Sequence, residues 1–236
     1  GAAMALGRTA PEAQSPVAIH SENSAQQAVL RVLDVSIAVT AVTFLAPLLV
    51  LLAVLVFAWD PGPVLFSHRR IGKHGVPFFC LKFRSMAIDS EARLRDLLQR
   101  DPAARAEWER DHKLRNDPRI IGIGGILRKW SLDELPQLFN VLRGDMSIVG
   151  PRPHAIGSLA GEKRFWEVDP RYLLRHSLKP GLTGLAQVRG LRGATDSEAD
   201  LTSRLQADLE YLDGWTAIRD IRIIFATFTV LVHDRA

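Results

Sequence analysis

The sequence predicts an α+β protein that is mainly helical, with an apolar N-terminal membrane helix and a small β-hairpin. Three observations predict this fold. Residues 35–58 form an apolar run without charge. Residues 85–115 and 201–212 carry Leu and charged side chains at helical spacing. Two short apolar stretches flank a Gly-Lys-His-Gly turn at residues 72–75, which is typical of a hairpin.

The composition fits a folded chain rather than a disordered one. The 236 residues include 47% apolar and 24% charged side chains. The net charge of +4 favours anionic partners such as lipid headgroups, nucleotides or nucleic acid, without choosing among them. The single cysteine, Cys80, excludes an internal disulfide framework and a multi-cysteine zinc site.

The first 24 residues are rich in Ala, Ser, Gln and Pro and predict a flexible leader. No secretory signal peptide is expected, because the apolar run begins too far into the chain and no cleavage site follows it.

The apolar run is long enough to cross a bilayer. As a helix, its 24 residues extend about 36 Å, against a hydrocarbon core of about 30 Å. Pro47 lies near its middle, where proline removes one backbone hydrogen bond and kinks or breaks a helix. Arg31 precedes the run and Arg69 and Arg70 follow it, which is compatible with both ends on the cytoplasmic side. The residues alone leave a spanning helix and a re-entrant wedge open.

Local patterns predict the remaining elements. The hairpin pairs residues 64–66 with 77–83, and Asp101 and Pro102 divide a helical segment over residues 85–115. Further segments are predicted as a helix over 132–142, a rigid loop at 150–153, a short amphipathic helix over 157–172, a helix over 201–212, and an apolar tail over 218–232. Three interpretations of the tail stay open: it lies on the membrane surface, packs in the protein core or forms a homodimer contact.

Two adjacent carboxylates, Asp133 and Glu134, are the best candidates for chemistry. Paired acids can supply a nucleophile and a metal ligand for reactions on a phosphate. The pattern Ser131-x-x-Glu134 is equally typical of a capping box, in which the acids only satisfy amides at a helix N-terminus.

Several cations are candidate phosphate-binding residues. Arg152 lies between Pro151 and Pro153, and its guanidinium fork matches phosphate oxygens. Lys82 and Arg84 share one face if their segment is a strand, where they could hold a diphosphate. Arg128 is a weaker candidate. For each cation the alternative is a solvated surface charge.

Many segments, in the same order along the chain, resemble the bacterial sugar transferases. These are the monotopic phosphoglycosyl transferases that use polyprenyl phosphate. The most specific are the Asp133-Glu-Leu-Pro-Gln137 run and the Gly150-Pro-Arg-Pro153 loop. The resemblance extends roughly from Arg31 to Val232 and includes the following further segments: Lys82-Phe-Arg-Ser-Met86, Asn116-Asp-Pro-Arg119, Pro180-Gly-Leu-Thr-Gly184 and Asp208-Leu-Glu-Tyr211.

This resemblance implies a mechanism. Asp133 matches the family's nucleophile, which attacks a UDP-sugar, expels UMP and holds the phosphosugar until undecaprenyl phosphate accepts it. Glu134 matches the second acid, and both acids are implied Mg²⁺ ligands. Arg152 matches the phosphate-binding arginine, and Lys82, Arg84 and Arg128 are implied to bind substrate phosphate. Ping-pong kinetics follow, because UMP leaves before the lipid reacts.

The resemblance also implies an organisation. Residues 25–60 are expected to form a re-entrant membrane helix broken at Pro47, and residues 61–236 a catalytic domain on the cytoplasmic face of the bacterial inner membrane. Expected partners are a UDP-sugar, undecaprenyl phosphate and the phospholipid bilayer, without nucleic acid. The segments near His154 and residues 192–196 are most similar to members that transfer glucose or galactose 1-phosphate for exopolysaccharide synthesis.

Two other functions would account for part of the sequence. A membrane-tethered basic module that binds anionic lipid or nucleic acid without catalysis would explain the charge and the apolar run. It would not explain why two acids and an arginine lie within an otherwise apolar stretch of sequence. A phosphatase with an aspartyl-phosphate intermediate usually carries an Asp-x-Asp motif, which is absent around Asp133.

Overall fold

The structure is a computed structural model that describes residues 24–111, 114–191, 195 and 197–233. The described part of the chain is mostly helical, and its helices are α1 (Ser24–Trp59), α2 (Ser90–Arg100), α3 (Pro102–Asp111), α4 (Gly122–Lys129), α5 (Gln137–Arg143), α6 (Phe165–Val168), α7 (Leu185–Val188), α8 (Glu198–Asp213) and α9 (Ala217–His233). The strands are β1 (Leu65–Ile71), β2 (Pro77–Phe83), β3 (Ser147–Val149), β4 (Leu159–Ala160), β5 (Lys163–Arg164) and β6 (Gly181–Thr183). Short 3-10 turns cover Lys73–Gly75, Leu132–Glu134 and Pro170–Ser177. The mainly helical α+β class is confirmed.

The strands form three small ladders. β1 and β2 pair antiparallel from Leu65 opposite Phe83 to Ile71 opposite Pro77, which confirms the predicted hairpin. Its turn uses His74 and Gly75 with positive φ. β3 and β6 pair in parallel, and β4 and β5 pair antiparallel.

The segment over residues 157–172 differs from its prediction. Instead of one amphipathic helix it contains β4, β5, the four-residue α6 and the start of a 3-10 turn. Gly157 and Gly161 adopt positive φ, which bends the backbone into turns and interrupts a helix. By contrast, the division of residues 85–115 is confirmed, since Asp101 accepts hydrogen bonds from the amides of Ala103 and Ala104 at the start of α3.

Helix α1 lies along the rest of the chain for most of its length. Its first half contributes Ala38 to a core with α5, β3, α8 and α9. Its second half contributes Leu52 and Val56 to a second core with Phe83 and Leu127. The opposite side of α1 is apolar and exposed, with Phe44 83% exposed. Among the described residues, α1 is the helix long and apolar enough to cross a membrane.

Both ends of α1 are anchored to the same folded unit. Near the start, Arg31 donates hydrogen bonds of 2.6 and 2.7 Å to the carbonyls of Val141 and Leu142, at the end of α5. Asp34 accepts from the Ser147 hydroxyl and, at 2.8 Å, from the Ile148 amide of β3. These bonds hold one end of α1 beside α5 and β3.

At the other end of α1, the indole of Trp59 lies against Gly122 at the start of α4, where any side chain would collide with it. The helical backbone continues through Pro47. The structure therefore has a continuous helix where the sequence predicted a break. The leader lies outside the described residues except for Ser24, with which α1 begins. The domain boundary at residues 60 and 61 stays a prediction.

The apolar tail is α9, and it uses two faces. Ile223 is buried in the core with Tyr211, while Phe225 and Phe228 are 70% and 63% exposed. The tail therefore packs in the core and also presents an apolar surface outwards. A homodimer through this surface stays a prediction.

Candidate active site

The two acids lie in the 3-10 turn Leu132–Glu134, directly before α5. Ser131 enters the turn with a left-handed backbone, at φ 54°, and its side chain makes no capping hydrogen bond. Pro136 takes the N-cap position of α5 instead. The capping-box interpretation is therefore wrong, and the carboxylates are available for other contacts.

Glu134 is clamped by two cations from distant segments. Lys82 Nζ lies 2.8 Å from Glu134 Oε1, and Arg152 Nη2 lies 2.6 Å from the same oxygen. Arg152 Nη1 donates to Oε2 at 3.2 Å. Burial disfavours the charged carboxylate, but the positive charges of Arg152 and Lys82 outweigh it and lower the pKa of Glu134 to about 2. Glu134 is therefore ionised at neutral pH.

Asp133 is held differently from its neighbour. It is buried, and its Oδ2 lies 3.7 Å from Lys82 Nζ, beyond hydrogen-bond distance. Burial raises the pKa of Asp133 and the charge of Glu134 adds to this, while Lys82 and Arg128 oppose it. The two adjacent acids thus have pKa values displaced in opposite directions, an arrangement that gives paired carboxylates different chemical roles.

Lys82 reaches the acids because β2 is fixed to α5. Asn140, which is fully buried in α5, accepts a hydrogen bond from the Leu81 amide and donates one to the Phe79 carbonyl. This asparagine was missed by the sequence analysis. The sequence feature that indicates its burial is that Asn140 is a polar residue between Leu138 and Val141 on an otherwise apolar helix face.

Arg152 is supported from behind by a buried ion pair. Arg175 donates to the Arg152 carbonyl at 2.8 Å, and its guanidinium is paired with Asp208 of α8 at 2.8 Å. His154, given no function from the sequence, joins this group through contacts with Arg175 and Tyr172. Arg175 was also missed, and only the family-like segment at Asp208 hinted at this network.

The structure does not bring all predicted cations to the acids. Arg84 is bound to the carboxylate and carbonyl of Asp60 and donates to the Pro63 carbonyl at 2.6 Å. Arg128 donates to the Ser85 hydroxyl at 2.9 Å and still acts electrostatically on Asp133. The roles of Arg84 and Arg128 in binding phosphate stay predictions.

The two acids fit a magnesium site in which the protein supplies only one or two carboxylates. No group of three or more His, Cys, Asp or Glu side chains comes together within the residues that the structure describes. Mg²⁺ is commonly held by one or two carboxylates, with substrate phosphate and water completing its octahedron. Asp133 and Glu134 could supply those carboxylates, so the predicted metal is compatible with the site.

A cavity of about 410 Å³ adjoins the site. Glu134 and Arg152 are part of its wall, together with Thr183 and Arg204. The rest of the wall is mostly apolar and includes side chains from α1, α5, β6 and α9, such as Ala41, Leu45, Leu138, Leu182 and Ile224.

The chain is similar to known proteins over most of its length. A family described as bacterial sugar transferase matches residues 25–234. An exopolysaccharide production protein PSS of Rhizobium leguminosarum is 45% identical over 197 residues, which cover 84% of this chain and 92% of that protein. A UDP-glucose:undecaprenyl-phosphate glucose-1-phosphate transferase of Caulobacter vibrioides is 43% identical, over 87% of this chain and 71% of that protein.

A third relative is much longer than this chain. The undecaprenyl-phosphate galactose phosphotransferase of Salmonella typhimurium is 48% identical over 174 residues, or 74% of this chain and 34% of that protein. The matched region is thus about a third of that relative. The family match and the Rhizobium relative, each covering most of the sequence, show that the chain belongs to the bacterial sugar transferase family.

Proposed function

We propose that the chain transfers a hexose 1-phosphate from a UDP-sugar to undecaprenyl phosphate and releases UMP. Glucose and galactose are the proposed sugars, because relatives are named for these two transfers. One observation carries the chemistry: Asp133 has a raised pKa and lies 3.7 Å from Lys82, directly beside an ionised Glu134 that Lys82 and Arg152 hold at hydrogen-bond distance. The step would begin exopolysaccharide synthesis, the process after which the Rhizobium relative is named.

In the first step, a carboxylate oxygen of Asp133 attacks the sugar-linked phosphorus. The bond from this phosphorus to the bridging oxygen breaks, and its electron pair leaves with UMP. An acyl phosphate then joins Asp133 to the phosphosugar. A carboxylate with a raised pKa is a better nucleophile than one of ordinary pKa, provided that it is ionised at the working pH.

In the second step, a phosphate oxygen of undecaprenyl phosphate attacks the same phosphorus. The bond to Asp133 breaks and the carboxylate is regenerated, leaving a diphosphate between lipid and sugar. Both nucleophiles are anions, so neither step needs a base to remove a proton. The order of events predicts ping-pong kinetics.

The cations around Glu134 supply the positive charge that phosphoryl transfer needs. Lys82 and Arg152 already share Glu134, so they are oriented before substrate enters. A bound Mg²⁺ would neutralise the diphosphate oxygens, with Asp133 and Glu134 as its protein ligands. Because Lys82 and Arg152 are already held in place, they need to move little when the substrate phosphates bind.

We also propose that α1 is re-entrant and that the active site faces the cytoplasm at the inner membrane. In support, Arg31 near its start and Trp59 at its end contact the same folded unit. A straight helix that crossed the bilayer would place these ends on opposite sides, about 30 Å apart. The exposed apolar face of α1, which includes Phe44, would then contact lipid acyl chains.

Single-cysteine labelling tests this topology. Cys80 is buried and is the chain's one cysteine, so Val29→Cys and Pro61→Cys are placed one at a time in a Cys80→Ala background. A membrane-impermeant maleimide should label both positions in inside-out vesicles and neither in intact spheroplasts. Labelling of Val29→Cys in intact spheroplasts would show a spanning helix.

The activity is tested by UMP release from a panel of UDP-sugars with Mg²⁺ and undecaprenyl phosphate. Release should occur with UDP-glucose or UDP-galactose and be lost in Asp133→Asn, while Asp96→Asn, at an exposed ion pair with Arg100, keeps it. Turnover of UDP-N-acetyl sugars alone would overturn the sugar assignment. No release with any donor, together with retained lipid binding by Asp133→Asn, would favour the binding-module alternative.

A further inference from the structure

The cavity beside the acids has an unusual wall for a site that handles nucleotides and sugars. Ile37, Ala41 and Leu45 of α1 form one side, and Ile224 and Phe228 of α9 form another. Because Glu134 and Arg152 also belong to the wall, the cavity adjoins the turn that carries the two acids. The cavity therefore places an apolar space beside the charged groups of the site.

The cavity also reaches the apolar surface of the protein. Phe228 is part of the cavity wall and is at the same time 63% exposed. The neighbouring outward faces of both helices are apolar, with Phe44 on α1 and Phe225 on α9 among their most exposed side chains. Phe228 therefore connects the exposed apolar surface with the cavity wall.

We propose that this cavity binds the isoprenoid chain of the acceptor, with the lipid phosphate beside Arg152. The proposal rests on the proposed function, which supplies a polyprenyl phosphate as the second substrate. The wall matches the two parts of that molecule, since its aliphatic side chains suit the chain and Arg152 and Arg204 are complementary to the phosphate. The acceptor would thus approach the phosphosugar from the side of α1 and α9.

The donor is a poorer match for the same space. A UDP-sugar carries many hydroxyl and carbonyl groups, and burying them against aliphatic side chains without partners is unfavourable. The side chains that α1 contributes to the wall are all apolar, and the polar wall residues come from other segments: Ser131, Glu134, Arg152, Thr183, Gln187, Arg204 and Thr227. We therefore assign the apolar part of the cavity to the acceptor.

Filling the cavity from two walls tests this assignment. Ala41→Phe narrows it from α1, and Ile224→Phe narrows it from α9. The matched controls add the same ring to the outward faces of the same helices, at exposed positions: Val39→Phe on α1 and Ile221→Phe on α9. Each protein is assayed in nanodiscs for two separate half-reactions.

The first readout is the burst of UMP from UDP-glucose without acceptor, and the second is the KM for undecaprenyl phosphate. We expect both cavity variants to keep the burst while their acceptor KM rises about tenfold or more. Both controls should match the wild type in both readouts. The retained burst also shows that a variant is folded.

Other results would overturn the assignment. A weaker burst with an unchanged acceptor KM would place the donor in the cavity. Unchanged values in both readouts would show that the cavity is not used. Absence of the burst in the wild type would refute the proposed function itself, so the two failures are distinguishable.

A second measurement needs no variant. The wild type should use a long-chain polyprenyl phosphate about tenfold or more better, in kcat/KM, than an analogue with one or two isoprene units. Equal kcat/KM for the two acceptors would contradict binding of the chain in the cavity.

Discussion

Arg152 and Glu134 form a two-pronged ion pair, with Nη2 2.6 Å from Oε1 and Nη1 3.2 Å from Oε2. The fork fixes the plane of the guanidinium, which a single ammonium could not do. Arg152→Lys keeps the charge and loses this orientation, so we expect kcat/KM for the UDP-sugar to fall about 100-fold. Arg171→Lys, at an exposed pair with Asp169, should change it little. Equal activity of Arg152→Lys and the wild type would show that only charge matters.

Lys82 controls the acidic limb of the pH profile. Asp133 must be ionised to attack, and its pKa lies above the ordinary value of 3.8, so activity should fall as the pH falls through that raised pKa. Lys82 lowers this pKa, and therefore Lys82→Met should move the acidic limb of kcat/KM towards higher pH. Lys163→Met, which removes a surface pair with Glu198, serves as the control. A limb that stays in place in Lys82→Met would argue against ionised Asp133 as the nucleophile.

The buried pair of Arg175 and Asp208 should support both folding and activity. Asp208→Asn leaves Arg175 buried without its anion, which costs about 3–5 kcal/mol of unfolding free energy. Because Arg175 also holds the Arg152 carbonyl, kcat/KM should fall about 100-fold even at temperatures where the variant is folded. Thermal unfolding and kinetics measure the two effects, with Asp96→Asn, at the exposed ion pair with Arg100, as the control. Loss of stability with unchanged kcat/KM would limit the pair to a structural role.

Asp220 makes the fold less stable as pH rises. Burial raises its pKa from 3.8 to about 6, although Tyr211 and Trp215 donate hydrogen bonds to it. The folded pKa exceeds the unfolded one, so folding favours the protonated acid and this advantage is lost as pH rises through about 6. Asp220→Asn should therefore gain up to about 3 kcal/mol relative to the wild type between pH 4 and pH 7. If the unfolding free energies of the two proteins changed with pH in the same way across this range, the raised pKa of Asp220 would be contradicted.

Local patterns in the sequence predicted the elements that depend on local physics. The hairpin of β1 and β2, the cap at Asp101 and helix α8 follow from residues within a few positions of one another. The expected helix over residues 157–172 failed because Gly157 and Gly161 take positive φ, which glycine permits without requiring. The capping box failed for a similar reason, since Ser131 adopts a left-handed backbone.

The proximity of the candidate site residues was predictable from the sequence, and the contacts that support them were less so. Asp133, Glu134, Arg152 and Lys82 are brought together as expected. Asn140 and the pair of Arg175 and Asp208 act through contacts between segments far apart in sequence, which a single sequence does not reveal. Arg84 illustrates the converse, because the strand pattern could not show that Asp60 would bind it.

The central claim is a covalent phosphosugar on Asp133, and the intact mass of the protein tests it most directly. The purified chain is mixed with UDP-glucose and Mg²⁺ without acceptor, quenched and analysed by mass spectrometry, with Asp133→Asn in parallel. We predict a mass increase of one hexose phosphate on the wild type, located to Asp133 and removed by undecaprenyl phosphate. UMP release without any mass increase, or the same increase in Asp133→Asn, would contradict the mechanism.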